Sequence, residues 1–153
     1  MEGRCDMLKF GGENLEIKEK NYPGPFLLSL SDDENLTLRV VISFREDADT
    51  DLVYEIVFEH YILYQMRNES FTSLDKYEVR KGNWLLIFER SRLLDHIDDY
   101  VDHYILDSVY SRDEIRHYGI YTENHILDVI SVKQPAVRKI TGSEVNKNTG
   151  NMG

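Results

Sequence analysis

The sequence predicts an α+β fold that is mainly antiparallel β-sheet, curled into a sandwich-like shape, with one principal amphipathic helix around residues 91–108. Several segments alternate apolar and polar residues with the period of two that is typical of half-buried strands. Strands do not alternate with helices along the chain, as they do in parallel sheets. At 153 residues the chain fits one domain, which we expect at 1–140. The Asn-, Gly- and Lys-rich residues 141–153 predict a disordered tail.

The first half of the chain carries the strongest strand signal. Apolar and polar residues alternate through 36–45 and again through 52–58, and a polar loop separates the two runs. This pattern predicts an antiparallel hairpin. Alternation is lost afterwards, so we expect a bulge or break near residues 59–61. Before the hairpin, residues 15–17 predict a brief strand, and residues 26–30 fit a strand or a single helical turn.

The second half predicts four more strands. Tyr77 and Val79 flank the first, and residues 81–83 form its turn. Residues 84–88 are apolar on both faces, which predicts a strand in the interior of the sheet. Residues 115–121 and 126–132 are strands joined by a tight hairpin loop.

The predicted helix begins at Ser91, a residue type that caps helix N-termini. Apolar residues follow at helical spacing and form a stripe about 120° wide. We expect this stripe to pack on the sheet, and Asp side chains occupy the opposite side. The stripe consists of Leu93, Leu94, Ile97, Val101, Tyr104 and Ile105.

The charge composition excludes some classes of partner. Eighteen Lys and Arg against 28 Asp and Glu give a net charge of −10, which disfavours nucleic-acid binding because phosphates need clustered cations. No apolar run approaches the length of a membrane span. No apolar stretch follows Met1, so we expect no signal peptide. Cys5 is the single cysteine, which indicates a reducing compartment, and we expect the cytoplasm.

Two windows, 32–51 and 89–114, each carry a net charge of −5. Ordinary solvation explains much of this charge. The sharper interpretation is a negative helix face that captures a basic protein partner, with tyrosines as interface anchors. The candidate partner-binding residues are Asp95, Asp98, Asp99, Tyr100, Asp102 and Leu106.

Histidines offer an alternative chemistry. On a continuous helix His96, Asp99 and His103 would lie in one column that a divalent metal could use. The column lacks the His pair at i and i+4 that zinc proteases use, so a solvated acidic face is the favoured interpretation. His117 and His125 flank the last hairpin, and we expect them to be packed and hydrogen-bonded. No nearby Ser or Cys has a recognisable activating context, and we expect no cofactor.

Asp128 interrupts an apolar strand. A buried carboxylate must be paired or hydrogen-bonded, so we expect a structural Asp that caps a turn or pairs with an arginine such as Arg116. A functional role for Asp128 is the alternative. A further hypothesis is an oligomeric structural module in which the tyrosine-rich residues 54–64 form a self-interface.

An ordered series of residues in the second half resembles a known group of proteins. The series comprises residues 84–91, the Leu93–Leu94 helix start, residues 117–121 and residues 127–130 before Pro135. It resembles small uncharacterised proteins of Bacillus-like bacteria, several of which are immunity proteins encoded beside polymorphic or contact-dependent toxins. The likeness covers about residues 36–137. The acidic residues 95–113 depart from it, so no partner contacts are carried over.

The resemblance implies a cytoplasmic inhibitor that binds and neutralises a cognate toxin without performing chemistry. Together with the acidic charge, it favours a non-enzymatic binding protein for a basic toxin domain. The alternatives are a small metal-binding protein or enzyme that uses His96, Asp99 and His103, and the oligomeric module.

Overall fold

Two antiparallel β-sheets make up most of the computed structural model, which describes residues 24–47 and 50–140. The first sheet has the strand order β1-β2-β3-β9, and the second has the order β4-β8-β7-β6-β5. The fold is therefore α+β and mainly antiparallel β, as predicted. The strands are β1 (Phe26–Asp32), β2 (Thr37–Asp47), β3 (Thr50–Glu59), β4 (Leu63–Asn68), β5 (Val79–Lys81), β6 (Leu85–Arg90), β7 (Arg116–Tyr121), β8 (His125–Ser131) and β9 (Ala136–Ile140).

The first sheet contains the predicted hairpin. Strands β2 and β3 pair antiparallel, with Leu38 opposite Phe58. The predicted break is confirmed: β3 ends at Glu59, and His60 adopts a left-handed backbone conformation with φ of 52°. Residues 26–30, which fitted a strand or a turn, belong to β1. Strand β9 was not predicted, because its five residues include Arg138 and Lys139 and show no clear alternation.

The second sheet follows the predicted strands closely. Gly82 forms the turn after β5 with φ of +109°, a conformation that favours glycine. Strand β6 lies between β5 and β7, inside the sheet, as its apolar character predicted. The brief strand predicted at 15–17, Cys5 and the tail predicted at 141–153 lie outside the described residues.

The main core lies between the two sheets. Aromatic rings meet edge to face there, with ring centroids 5.4 Å apart for Phe44 and Trp84. Trp84 Nε1 is buried without a hydrogen-bond partner among the described residues. The two sheets contribute Leu38, Val40, Ile42, Phe44, Tyr54, Ile56, Phe58 and Val137 from the first, and Trp84, Leu85, Ile87, Tyr118, Ile120, Leu127 and Val129 from the second.

The tyrosines of the predicted self-interface are turned inward or engaged within the chain. Tyr54 is fully buried in the core. Tyr61 and Tyr64 pack against that core, and both hydroxyls donate to Asp32. The hydrogen bond to Asp32 raises the pKa of Tyr61 to about 12. Tyr54 therefore cannot contribute to a self-interface.

The predicted helix of residues 91–108 is present but divided. It consists of α1 (Arg92–Asp95), a 3₁₀ turn (Ile97–Asp99) and α2 (His103–Val109). Ser91 caps α1 as predicted, since its side chain accepts a hydrogen bond from the Leu94 N–H. The break is explained by Asp102, which is extended and caps α2 by accepting from two backbone N–H groups. Aspartate side chains compete in this way with helix continuation.

Division of the helix changes which residues pack. We name residues 91–114, which include both helices, the helical segment. Its buried residues Leu93, Ile97 and Leu106 pack with Ile130 of β8, so this segment covers the outer face of the second sheet, the face turned away from the first sheet. Tyr104, predicted to pack on the sheet, is instead 78% exposed.

Candidate functional site

A buried polar network lies where the helical segment meets the outer face of the second sheet. Ser91 Oγ is 2.7 Å from His117 Nδ1, and His117 Nε2 is 2.8 Å from Asp128 Oδ1. All three residues are 2% exposed. Pairing of β7 with β8 puts Gly119 opposite Asp128 and His117 opposite Ile130. Alternation along the strands then turns His117 and Asp128 to the same face.

Strand β4 supplies the remaining partners of Asp128. Gln65, opposite Asp128 in the register, donates from Nε2 at 3.3 Å, and Arg67 donates from Nη2 at 3.2 Å. The predicted pairing with an arginine is confirmed, but the predicted partner Arg116 is wrong: its guanidinium donates to backbone carbonyls of Asp113 and Ile115. Arg116 precedes His117 on β7, so strand alternation turns its side chain away from the face that carries His117 and Asp128.

The hydrogen bonds decide the charge of Asp128. Burial on its own would raise the pKa of this carboxyl, but the hydrogen bond and charge of His117, with Gln65 and Arg67, outweigh burial. The pKa of Asp128 therefore lies below its ordinary value, and the carboxylate is ionised at neutral pH. The two ring nitrogens of His117 thus have separate partners, Asp128 Oδ1 at Nε2 and Ser91 Oγ at Nδ1.

The network resembles a hydrolase triad in its order of serine, histidine and carboxylate. A nucleophilic serine must reach the substrate, whereas Ser91 is buried and its Oγ already accepts the Leu94 N–H at 3.0 Å. The ring of Phe88 stacks on that of His117 with centroids 3.6 Å apart. The arrangement therefore holds the start of the helical segment against the sheet. Twenty-six positions separate Ser91 from His117, so no local pattern indicates their contact.

A polar pocket of about 330 Å³ adjoins the network, and His117 and Asp128 are among its lining residues. Its arginines are engaged: Arg67 contacts Asp128, and Arg92 contacts Asp75. The first pair joins β4 to β8, and the second joins the loop before β5 to the start of the helical segment.

The residues of the predicted metal column are not gathered into a metal site. His96 Nδ1 lies 3.7 Å from Asp99 Oδ2, and both side chains are exposed. His103 starts α2, where its ring contacts that of Tyr104. Across residues 24–47 and 50–140, no three His, Cys, Asp or Glu side chains form a group that could hold a metal ion. His125, which was expected to be hydrogen-bonded, has its Nδ1 2.8 Å from Asn124 Oδ1.

The helical segment exposes large apolar side chains. Tyr100 is 61% exposed, Tyr104 78%, Ile105 63% and Val109 61%. These four lie within ten consecutive residues, on or just before α2. The division of the helix at Asp102 turns α2 so that Tyr104, Ile105 and Val109 face outward while Leu106 faces the sheet. The helical spacing of apolar residues placed Tyr104 and Ile105 in the stripe that was expected to pack on the sheet. This exposed surface was therefore not predicted from the sequence.

The predicted acidic face is present, but several of its members have partners. Asp98 and Asp107 both accept hydrogen bonds from Arg112, at 2.7 and 2.5 Å, and Arg112 lowers the pKa of Asp107. Asp95 accepts from the Tyr77 hydroxyl. Asp99 and Asp102 are also exposed.

Leu106, one of the candidate partner-binding residues, does not project from the acidic face. Leu106 is only 6% exposed, because it packs with Ile115 and Ile130 beneath α2. Tyr100, in contrast, is exposed as the prediction required. A partner can therefore contact Tyr100 and the aspartates at the surface, whereas Leu106 lies beneath that surface.

No known protein family, curated protein or solved structure matches this chain. Within the described ranges, no helix combines the length and apolar character needed to cross a membrane. The candidate site is an acidic surface on the helical segment, and it exposes the side chains of Tyr100, Tyr104, Ile105 and Val109. We name these four residues with Asp99 and Asp102 the α2 surface. The buried polar network of Ser91, His117 and Asp128 holds the start of this segment on the sheet.

Proposed function

We propose that the protein is a non-enzymatic binding protein that captures a basic protein partner through the α2 surface. The observation that carries the proposal is the concentration of four exposed large apolar side chains within ten residues. Contiguous exposed apolar surface on a soluble protein is typical of interaction sites. Tyrosine is among the residues that dominate binding energy at interfaces.

The electrostatics favour a basic partner. The chain has a net charge of −10, and residues 89–114 have a net charge of −5. Opposite potentials accelerate encounter and select against acidic partners. Asp99, whose side chain is 75% exposed, and the exposed Asp102 lie next to the tyrosines, so cationic groups of a partner can pair with them while its apolar groups cover the rings.

The most concrete partner is a basic toxin domain, which the protein would neutralise as an immunity protein in the cytoplasm. The resemblance of residues 84–91, 117–121 and 127–130 to immunity-type proteins supports this partner, and the single Cys5 suits a reducing compartment. Inhibition by binding requires a rigid surface rather than a catalytic group. The buried network around His117 supplies that rigidity by anchoring Ser91.

Binding is tested with purified bacterial toxin domains of positive net charge, and acidic domains of similar size serve as controls. Association is measured by biolayer interferometry at 50 and 300 mM NaCl. We expect a basic domain to bind, its association rate to fall with salt because exposed charges are screened, and its co-expression with this protein to restore host growth. Absence of binding across the basic panel would contradict the proposal.

The location of the surface is tested with the triple variant Asp99→Lys, Tyr100→Ala, Tyr104→Ala. It spares Asp98, which pairs with Arg112, and Asp102, which caps α2. We expect about a hundredfold loss of affinity, because loss of each anchor costs upwards of about 1 kcal/mol. Phe71→Ala is the matched control, since Phe71 is 89% exposed outside the helical segment. Unchanged affinity in the triple variant would show that the surface is the wrong one.

A further inference from the structure

An apolar groove of about 250 Å³ runs beside α2. Ile62, Val101, Leu106 and Val109 are among the side chains that line it, and Asp102 is the charged residue in its wall. Leu106 is buried, Ile62 and Val101 are half-buried, and Val109 is 61% exposed. The groove therefore has a packed floor and an accessible rim.

The groove is continuous with the α2 surface, because Ile105 and Val109 belong to both. Its floor is fixed, since Leu106 packs on Ile115 and Ile130 in the cluster under the helical segment. A fixed apolar concavity next to exposed anchors is the arrangement in which interface hot spots bind. An apolar cavity of about 150 Å³ holds a benzene ring, so this groove has room for one aliphatic or aromatic side chain.

We infer, resting on the proposed function, that the groove receives a single apolar anchor side chain of the basic partner, flanked in the partner by lysine or arginine. Asp102 in the groove wall and Asp99 beside Tyr100 supply the negative charge for the flanking cations. The same charges disfavour a second copy of this chain, whose net charge is −10, and they disfavour an acidic segment.

The test uses three synthetic peptides of equal length: a lysine-rich peptide with one central leucine, the same peptide with serine in its place, and a glutamate-rich peptide with the leucine. Binding is followed by NMR of methyl-labelled protein. We expect shifts at the methyl groups of Ile62, Val101 and Val109. We also expect the leucine peptide to bind at least tenfold more tightly than the serine peptide, because burying one aliphatic side chain contributes about 1.5–3 kcal/mol.

A matched pair of variants separates the groove from the rest of the surface. Val109→Ser removes an exposed apolar wall of the groove, and Leu74→Ser removes a 74% exposed apolar side chain elsewhere. We expect Val109→Ser to abolish the leucine preference and Leu74→Ser to leave it unchanged. Neither site is buried, so we expect both variants to fold.

Four outcomes overturn the inference. Equal binding of the leucine and serine peptides would show that the groove receives no apolar anchor. The proposed function of the acidic surface would still stand. Absence of binding by both lysine-rich peptides removes the inference and the proposed function together. Tighter binding of the glutamate-rich peptide contradicts the basic occupant. Sedimentation that shows a dimer, with groove methyl shifts that depend on protein concentration, assigns the groove to a second copy instead.

Discussion

Strand β8 is buried on both faces of the second sheet, but different interactions stabilise the two faces. Leu127 and Asp128 are neighbours on β8, with 1% and 2% exposure, and they point to opposite faces. Leu127 joins the apolar core between the sheets, whereas Asp128 is held by hydrogen bonds from His117, Gln65 and Arg67. The inner face depends on apolar area removed from water, and the outer face depends on particular partner atoms.

The two faces therefore contribute differently to the positions of the sheets and of the helical segment. An apolar core tolerates changes that preserve volume, so the inner face holds the two sheets together without specifying fine positions. A buried charge requires its partners at defined distances. The outer face therefore determines where Ser91 lies, and with it the start of the helical segment that carries the α2 surface.

The largest effect is expected from Asp128→Ala. Removal of the carboxylate leaves His117 without its buried acceptor and Arg67 without its ion partner, and breaking one side of a buried pair costs about 3–5 kcal/mol. Urea denaturation measures the loss in free energy of unfolding. Gln65→Ala is the control, with an expected loss of about 1 kcal/mol. A loss below about 1 kcal/mol for Asp128→Ala would mean that the network contributes little to stability.

The next effect is that of Leu127→Ala, which opens a cavity between the sheets. We expect a loss of about 2–5 kcal/mol in the free energy of unfolding, since Leu127 is 1% exposed. Leu127→Met, which nearly preserves volume, should cost less than about 1.5 kcal/mol. Leu127 lies on the apolar inner face, so we expect the loss in free energy of unfolding of Leu127→Ala to be independent of pH. A pH-dependent loss would contradict the comparison.

Ser91→Ala is expected to cost about 1–3 kcal/mol. The substitution removes the hydroxyl that contacts His117 Nδ1 and the cap that accepts the Leu94 N–H. Ser111→Ala is a useful control, because Ser111 caps the exposed 3₁₀ turn Arg112–Glu114 without contact to the network. Chemical denaturation should show a clearly smaller loss for this control. Equal losses would reduce the role of Ser91 to capping alone.

The smallest expected effect is a difference in acid sensitivity. The folded-state pKa of Asp128 is depressed below the ordinary value near 3.8, so its contribution to stability is complete above that value and is lost as pH falls through the folded-state pKa. Asp128→Asn lacks this titration. Between pH 5 and pH 2 the wild type should therefore lose more stability than the variant, as urea midpoints would show. Parallel losses would contradict an ionised, network-bound Asp128.

Local patterns in the sequence predicted the strands well and the helical segment less well. Strands β2 and β3 were predictable because a strand with one buried face alternates regularly, as residues 36–45 do. Strand β9 was not, since five residues with two adjacent cations carry too little pattern. Apolar spacing predicted one helix, but the cap at Asp102 acts locally against it.

The site shows the same division between local and long-range information. Ser91 was predictable as a cap because capping involves residues three positions apart. Its contact with His117, and the choice of Arg67 rather than Arg116 for Asp128, depend on strand pairing between distant segments. The outward position of Tyr104 and the inward position of Leu106 depend on how α2 is turned, which follows from the break before it.

Amide hydrogen exchange of the wild type and Ser91→Ala tests the central claim most directly, namely that the buried network holds the helical segment in place. Exchange reports local opening separately from global unfolding. We expect faster exchange at the Leu94 and Leu106 amides in the variant, with amides of β2 and β3 unchanged. Unchanged exchange throughout the helical segment, or equal acceleration in β2 and β3, would contradict the claim.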